Sequence, residues 1–430
     1  MKKFIIKTLG CKTNQVESAL IAEILNNNGY EETDDIIQAD YYILNSCSVT
    51  HIADSKNLAY LRRAKRENSK IMTVITGCMA QLEKENLIEQ NIADFVIGNY
   101  EKNDMALILK NGERYSVSDI FSHDKFRYKT LHQIQRTRAS VKIQDGCNNR
   151  CTYCTIPFAR GKNRSNSIEN IIEQINLFAK GGYFETVLTG IHIGQWGMDF
   201  ENKKSLQNLL EEIEKTNIKR YRLGSLNPLE LSKSFIDFLS SSEKFCPHFH
   251  LSLQSVCDKT LKNMNRHYTS EQIKTLVHYI NSKFENAFIG SDIIVGFPDE
   301  TIEDFEITVN NLKELALSRI HVFPYSRRKG TVADEMPNQV ENTEKKRRTA
   351  IIQDISDNKI KSFFEKNINT QNEVIIEKKR DSKTGLLKGV TKNYINVLIN
   401  ADDKYKDTIQ KIIIKNFAPV EEKMIAEICS

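Results

Sequence analysis

Residues 141–164 read VKIQDGCNNRCTYCTIPFARGKNR. A short apolar run ends in Gly146, and Cys147, Cys151 and Cys154 follow with three and two residues between them. A loop this short can aim three sulfurs at one centre. Zinc ribbons use pairs of Cys-x-x-Cys, and no second pair follows. Three thiolates leave one iron of a 4Fe–4S cluster free for an exogenous ligand.

Upstream, three more cysteines share a pattern. FIIKTLG leads into Cys11, YYILNS into Cys47 and IMTVITG into Cys78. Each run is rich in β-branched or aromatic residues and bounded by turn residues, as a buried strand is. Residues 17–28 form a helical pattern with Leu20, Ile21, Ile24 and Leu25 on one face and Gly29 at its end, and residues 52–66 form a basic one. Strand alternating with helix predicts an α/β domain with a parallel sheet and right-handed crossovers. Ligands of such sheets gather at the carboxyl ends of the strands, where all three cysteines fall. Three thiols there suit an iron–sulfur cluster or a zinc with one open position. Three unrelated cysteines packed as small hydrophobes are the alternative.

The 430 residues suffice for two or three domains. At 40% hydrophobic and 27% charged, the composition excludes collagen-like, coiled-coil and largely disordered chains. No apolar run reaches the roughly 18 residues of a membrane span, and MKKFIIKTLGC reads as a strand and not as a signal peptide. A cytoplasmic location is expected. The nine cysteines should then be reduced, and an odd number argues further against a disulfide framework. Net charge is only +5, but residues 121–170 carry ten Lys/Arg against three Asp/Glu and residues 366–430 carry twelve against nine. These stretches are solvated faces or the footprint of a polyanion, with RNA the leading candidate.

The cysteine spacing, with Tyr153 before the third cysteine, resembles the radical S-adenosylmethionine superfamily. The resemblance implies that S-adenosylmethionine chelates the open iron and is cleaved reductively to a 5′-deoxyadenosyl radical. Strands expected at 141–146, 186–190, 221–225, 248–255, 287–297 and 318–326 fit that superfamily's partial (β/α)6 barrel. Barrel chemistry sits at the C-terminal ends of the strands. Thr189, Gly190, Ser225, Gln254, Ser255, Asp292 and Gly296 are therefore candidate cofactor contacts, although each also suits ordinary turn or core packing. His192 and His250 lie near strand ends and read as hydrogen-bonded core histidines.

EKKRRTA (344–350) opens a helix to about residue 365. VIIEKKR, GLLKGVTKNYINVLI and KIIIKNFA then read as short strands of a small β-barrel, and GVTKNYINV resembles the TRAM domain of RNA-modifying enzymes. Its basic strands, carrying Tyr394, suit a phosphate backbone and a stacked base.

Together the pieces resemble the methylthiotransferases: a domain at 1–120 for an auxiliary cluster, a radical core at 133–365 and a TRAM barrel at 366–430. TLGCKTNQVES (8–18), NSCSVT (45–50), HFHLSLQS (248–255) and NRHYT (265–269) are most similar to the group acting on N6-threonylcarbamoyladenosine. The isopentenyladenosine group usually carries Gln-Met-Asn where Lys12-Thr13-Asn14 stands, and the ribosomal-protein group Pro-Lys-Asn. Departures from the family pattern are Val256 and Asp299, where glycine is usual, and Gly224-Ser225-Leu226-Asn227-Pro228, where Ser-Ser-Leu-Glu-Pro is usual.

The resemblance implies two 4Fe–4S clusters, one on Cys147, Cys151 and Cys154 and an auxiliary one on Cys11, Cys47 and Cys78 that relays or supplies sulfur. One S-adenosylmethionine would methylate the sulfur and a second would supply the radical that activates carbon 2 of the adenine at position 37 of tRNA. It also implies an electron donor such as a flavodoxin or ferredoxin, tRNA as partner and no membrane. Modification of isopentenyladenosine or of a ribosomal protein side chain is the alternative. Cys246, Cys257 and Cys429 lack metal spacing and read as packing residues.

Overall fold

A computed structural model describes residues 1–127, 129–132, 137–418 and 422–429. Residue 133, where the radical core was expected to begin, and residues 128 and 133–136 of the basic stretch lie outside these, as do 419–421 and 430 of the last segment.

The first strands are β1 (Lys2–Thr8), β2 (Tyr30–Glu32), β3 (Tyr41–Ser46), β4 (Met72–Gly77), β5 (Phe95–Ile97) and β6 (Tyr115–Ser116). They form one parallel sheet in the order β2-β1-β3-β4-β5-β6. β3 is buried along its whole length, as a run read as YYILNS requires. The three strands leading to cysteines are therefore neighbours at the centre, and three short strands that the sequence did not reveal extend the sheet. The first helix, Lys12–Asn26, starts immediately after Cys11 and buries Ile21, Ile24 and Leu25 on the sheet. Its buried face also carries Thr13, Asn14, Glu17 and Ser18, polar positions that an apolar periodicity does not register.

The central region contains β7 (Ala139–Lys142), β8 (Gln144–Asp145), β9 (Arg164–Ser165), β10 (Glu185–Thr189), β11 (Arg220–Leu223), β12 (His248–Gln254), β13 (Phe288–Val295) and β14 (Arg319–Pro324). β7, β10 and β11 form one parallel sheet, and β12, β13 and β14 another. Parallel bridges Tyr221–Phe245 and Leu226–Leu251 connect the two, giving six strands in chain order around an open barrel. β8 and β9 form a small antiparallel ladder on either side of the cysteine loop. The long helix Asn342–Lys366 covers the edge strand β14, where the Ser356 hydroxyl bonds both the N–H and the C=O of Ile320 (3.0 and 2.8 Å). One residue of an otherwise open backbone edge is thereby satisfied.

The chain ends in a closed five-stranded barrel of β15 (Gln371–Ile376), β16 (Leu387–Thr391), β17 (Asn396–Ile399), β18 (Ile409–Phe417) and β19 (Met424–Ile428). β19 was not expected from sequence. Tyr394 was expected on a basic strand as a stacking platform, but it lies in the turn between β16 and β17 at φ +70°. The turn is closed by Thr391, whose hydroxyl accepts from the Ile395 N–H at 2.9 Å. This turn delivers the Tyr394 ring to the central region, against His248 at 4.1 Å between centroids and under the Arg222 guanidinium at 4.9 Å. Two of its contacts are thus taken by the protein itself.

Fully buried arginines cross the seam between the two regions. Arg220 donates to the Val390 carbonyl (2.8 Å), and Arg222 donates to those of Lys392 (3.0 Å) and Thr391 (3.2 Å). Glu185 supplies their counter-charge. Burial opposes ionisation of its carboxyl, but Arg222, Arg220 and Arg138 hold it down to about 2. No helix among the described residues is long and apolar enough to cross a membrane.

Candidate active site

Cys11 caps the first helix beyond β1, Cys47 follows β3 directly, and Cys78 follows β4 as the first residue of the helix Cys78–Leu82. Polar side chains tie the three turns together. Asn14 donates to the carbonyls of Leu9 (2.7 Å) and Ser46 (3.0 Å), joining the Cys11 turn to the Cys47 turn. The Ser46 hydroxyl donates to the Thr76 carbonyl (2.5 Å) and accepts from the Met79 N–H (3.1 Å), joining Cys47 to Cys78. Gly10, at φ +102°, lets the first turn come this close: a Cβ there would stand 2.8 Å from the Cys47 Cβ. Burial pushes the Cys47 thiol up to about 11, and Cys78 and Cys11 add to that push.

The second set lies on the loop between β8 and β9. Gly146, at φ +73°, has no room for a side chain against the Lys162 carbonyl. The loop is pinned by Cys147 N–H to Gly161 O (3.1 Å), Thr152 Oγ1 to Asn263 O (2.8 Å) and Asn265 Nδ2 to Arg150 O (2.8 Å). Tyr153 packs edge-on against Phe297. Burial pushes the Cys154 thiol up to about 12, and Cys151 and Cys147 act in the same direction. Cys47 and Cys154, which burial keeps protonated, would lose their protons on binding a metal, which takes cysteine as the thiolate. Among the described residues no three His, Cys, Asp or Glu side chains close around a point as one metal ion requires. In a 4Fe–4S cluster each of three thiolates would hold its own iron, leaving the fourth open.

Two residues whose part at this loop was not foreseen touch these sulfurs. His192 Nδ1 is 3.4 Å from Cys147 Sγ, and its Nε2 pairs with Glu230. Burial works against a charged imidazole, yet these two partners raise His192 to about 10. It is hydrogen-bonded, as expected, but to a cysteine of the loop. Arg266 Nη1 reaches Cys151 Sγ at 3.5 Å, while its Nη2 donates to the Ser252 carbonyl at 2.6 Å, clamping the loop to β12. The NRHYT stretch signalled this position without disclosing its partner.

A cavity of about 510 Å³ opens at the strand ends between the three regions. Cys11, Lys12 and Thr13 come from the first domain, Thr189, Gly190 and Ser225 from β10 and the turn after β11, and Tyr394 and Asn396 from the terminal barrel. Thr189 Oγ1 lies 3.4 Å from Thr13 Oγ1. His250 bridges Ser225 (2.9 Å) and Asp292 (3.3 Å), so Asp292 joins the cavity through one imidazole. Burial makes Tyr394 harder to ionise, but Lys12, Arg138 and Arg222 outweigh this and lower it.

Gln254, Ser255 and Gly296 do not line this cavity. Gln254 sits at φ +64° at the end of β12, and the Ser255 hydroxyl accepts from the Cys257 N–H at 3.2 Å. The Gly296 N–H donates to Glu300, which pairs with buried Arg348 at 2.7 Å. Asp299 adopts φ +65°, a region that Asp tolerates better than most residues and glycine best. Asn227 caps a short helical turn whose Glu230 holds His192. Val256 is fully buried. Cys246 and Cys257 are buried, 3.8 Å from the carboxylates of Glu185 and Asp304.

Residues 3–98 match the family described as uncharacterized protein family UPF0004, and residues 141–312 match the radical SAM superfamily. The chain is 36% identical to the threonylcarbamoyladenosine tRNA methylthiotransferase MtaB of Aquifex aeolicus, over 92% of this chain and 96% of that one. With MtaB of Bacillus subtilis it shares 35% over 96% and 94% of the two chains. With the tRNA-2-methylthio-N(6)-dimethylallyladenosine synthase of Petrotoga mobilis it shares 32% over 97% of each. Among solved structures, the radical S-adenosylmethionine methyltransferase TsrM of Kitasatospora setae, with cobalamin and a [4Fe-4S] cluster bound, superposes with a TM-score of 0.57 at 13% identity, covering 78% of this chain and 74% of its own. That last likeness is one of fold, whereas the first three extend along nearly the whole sequence, and through them the chain belongs to the radical S-adenosylmethionine tRNA methylthiotransferase family.

Proposed function

We propose that this enzyme methylthiolates carbon 2 of N6-threonylcarbamoyladenosine at position 37 of tRNA. In this reading Cys147, Cys151 and Cys154 hold the 4Fe–4S cluster that binds S-adenosylmethionine, and Cys11, Cys47 and Cys78 hold a second one. When bound, these groups supply the sulfur, the methyl group and the one-electron chemistry that an aromatic C–H demands, since it offers a general base no acidic proton. A small redox protein of the flavodoxin or ferredoxin kind would deliver the electron.

The supporting observation is the cavity. One space is lined by Cys11 of the first triad, by Thr189, Gly190 and Ser225 at the strand ends of the radical core, and by Tyr394 of the terminal barrel. An extruded base entering it would meet a residue of the sulfur-handling triad within the radical core. Thr13 and Thr189 offer adjacent hydroxyls to its edge, and the Ser225–His250–Asp292 chain fixes one wall. Residues 1–120, 133–365 and 366–430 would serve as sulfur-handling, radical and RNA-binding pieces, the last in the manner of a TRAM domain and the whole working in the cytoplasm.

The threonylcarbamoyl substrate is favoured by the Lys12-Thr13-Asn14 triplet and by the names of the Aquifex and Bacillus relatives. The dimethylallyl-type relatives support isopentenyladenosine as a second reading. Mass analysis of tRNA nucleosides from cells with and without the gene decides between them. Loss of the 2-methylthio form of threonylcarbamoyladenosine is expected, and loss of the isopentenyl form alone would overturn the proposal.

A further inference from the structure

The cavity walls carry more positive charge than their own anions match. Arg319 is bonded to Glu422 at 2.5 Å. Arg222, over the Tyr394 ring, is committed to Glu185 and to two carbonyls of the terminal barrel. Asp292 is engaged by His250. Lys12 stands apart: it lines the cavity, and among the described residues its ammonium has neither a hydrogen-bond nor an ion-pair partner. A second observation lies on the same walls. His248 is 5% exposed, and its Nδ1 has no hydrogen-bond partner. The Tyr394 hydroxyl likewise makes no hydrogen bond among the described residues.

A half-buried ammonium without a counter-ion is unfavourable, and a buried ring nitrogen without a partner is costlier still. Both costs are relieved together by a ligand that brings an anionic group and further polar atoms. The group must be small, because the base and its ribose share the same space.

We propose that Lys12 is the specificity-determining residue for the substituent on the substrate adenine, pairing its ammonium with a carboxylate carried by that substituent. The inference rests on the function proposed above and deepens it: threonylcarbamoyl ends in a carboxylate and carries a hydroxyl and a urea, whereas an isopentenyl group has nothing to offer a lysine. His248 and Tyr394 take the remaining polar atoms. An apolar substituent would leave Lys12 unpaired, and this asymmetry produces discrimination.

The test uses the reconstituted two-cluster protein and three anticodon stem-loops, bearing threonylcarbamoyladenosine, its carboxyl methyl ester, or unmodified adenosine. Unmutated protein should bind the free acid roughly ten- to a hundredfold more tightly than the ester, the range of a charge-assisted contact. Lys12→Met should abolish that preference and Lys12→Arg should restore most of it. Iron content and the visible spectrum should match across all three proteins, because Lys12 adjoins Cys11. The ester comparison needs no mutation, so it stands even if Lys12→Met loses its cluster.

Equal affinity of the unmutated protein for acid and ester would overturn the inference. An equal loss by Lys12→Met for all three RNAs would assign Lys12 to a backbone phosphate, and weakened S-adenosylmethionine binding would assign it to that cofactor's carboxylate; either result also overturns it. Methylthiolation of the threonylcarbamoyl stem-loop with no effect of Lys12→Met would overturn this inference alone. Failure of the unmutated protein to modify that stem-loop, while it modifies an isopentenyl one, would overturn the function beneath it.

Discussion

The guanidinium of Arg160 lies fully buried against the carboxylate of Glu17, with Nη2 3.1 Å from Oε2, and the same Nη2 donates to Asn14 Oδ1 at 2.5 Å. Arg160 follows the Cys147–Cys154 loop, whereas Asn14 joins the Cys11 and Cys47 turns. This charged contact therefore helps to tie the two cysteine-bearing regions together. Burial disfavours the Glu17 carboxylate, but Arg160, Lys102 and Lys142 overcome this and hold its carboxyl well below the usual range.

Arg160→Met should accordingly destabilise the protein by about 3–5 kcal/mol, because it leaves a buried carboxylate without its main partner. Chemical denaturation measures this directly. In folded variant protein, formation of 5′-deoxyadenosine should persist while methylthiolated RNA falls, since the two sites lose their mutual register. An unchanged denaturation midpoint would contradict the structural role.

Glu185 predicts a pH response. Its folded carboxyl is held at about 2 against an ordinary 4.5, so its contribution is present above the ordinary value and is lost as pH falls towards 2. Between about pH 5 and pH 3, Glu185→Gln should lose less stability than the unmutated protein, while being less stable at neutral pH. Urea midpoints at the two pH values test this, and parallel declines would refute it.

Replacing Cys147, Cys151 and Cys154 with Ala should roughly halve bound iron and abolish S-adenosylmethionine cleavage. Replacing Cys11, Cys47 and Cys78 should also halve the iron, yet leave 5′-deoxyadenosine measurable and methylthiolated RNA absent. Circular dichroism must first show a folded sheet, because metal binding contributes folding energy. Methylthiolated RNA from the second variant would return those cysteines to core packing.

Removing residues 366–430 should lower thermal stability as well as RNA affinity. Arg220 and Arg222 would lose their carbonyl acceptors, and Phe288 would lose the terminal barrel's apolar cluster against which it packs. Differential scanning calorimetry checks the first effect. An unaltered melting temperature would show a freely appended module. For the full chain, RNA affinity should fall steeply with added salt, as phosphate contacts require.

The sequence disclosed what local pattern can encode. The runs ending near Cys11, Cys47 and Cys78 were legible because β-branched and aromatic residues concentrate in buried parallel strands, and the Cys147–Cys154 loop because its ligands are contiguous. Strands of two or three residues, such as Tyr115–Ser116, carry too few side chains to show a period. Met424–Ile428, which pairs with both β18 and β17, was missed because its five residues follow a charged run and are too few to show a period. The Glu17–Arg160 pair spans 143 positions, and neither residue marks itself as buried in a polar stretch. Tyr394 was legible as important, but its place in a turn at positive φ, packed against His248 and Arg222, was not.

The most direct test of the whole account is a single-turnover assay with anaerobically reconstituted protein, S-adenosylmethionine, a low-potential reductant and a stem-loop bearing threonylcarbamoyladenosine at position 37, read by nucleoside mass spectrometry. The account predicts that one methylthio group replaces one hydrogen on that base, with 5′-deoxyadenosine formed alongside. Formation of 5′-deoxyadenosine without any methylthiolated base, from protein carrying both clusters and bound to the stem-loop, would contradict it.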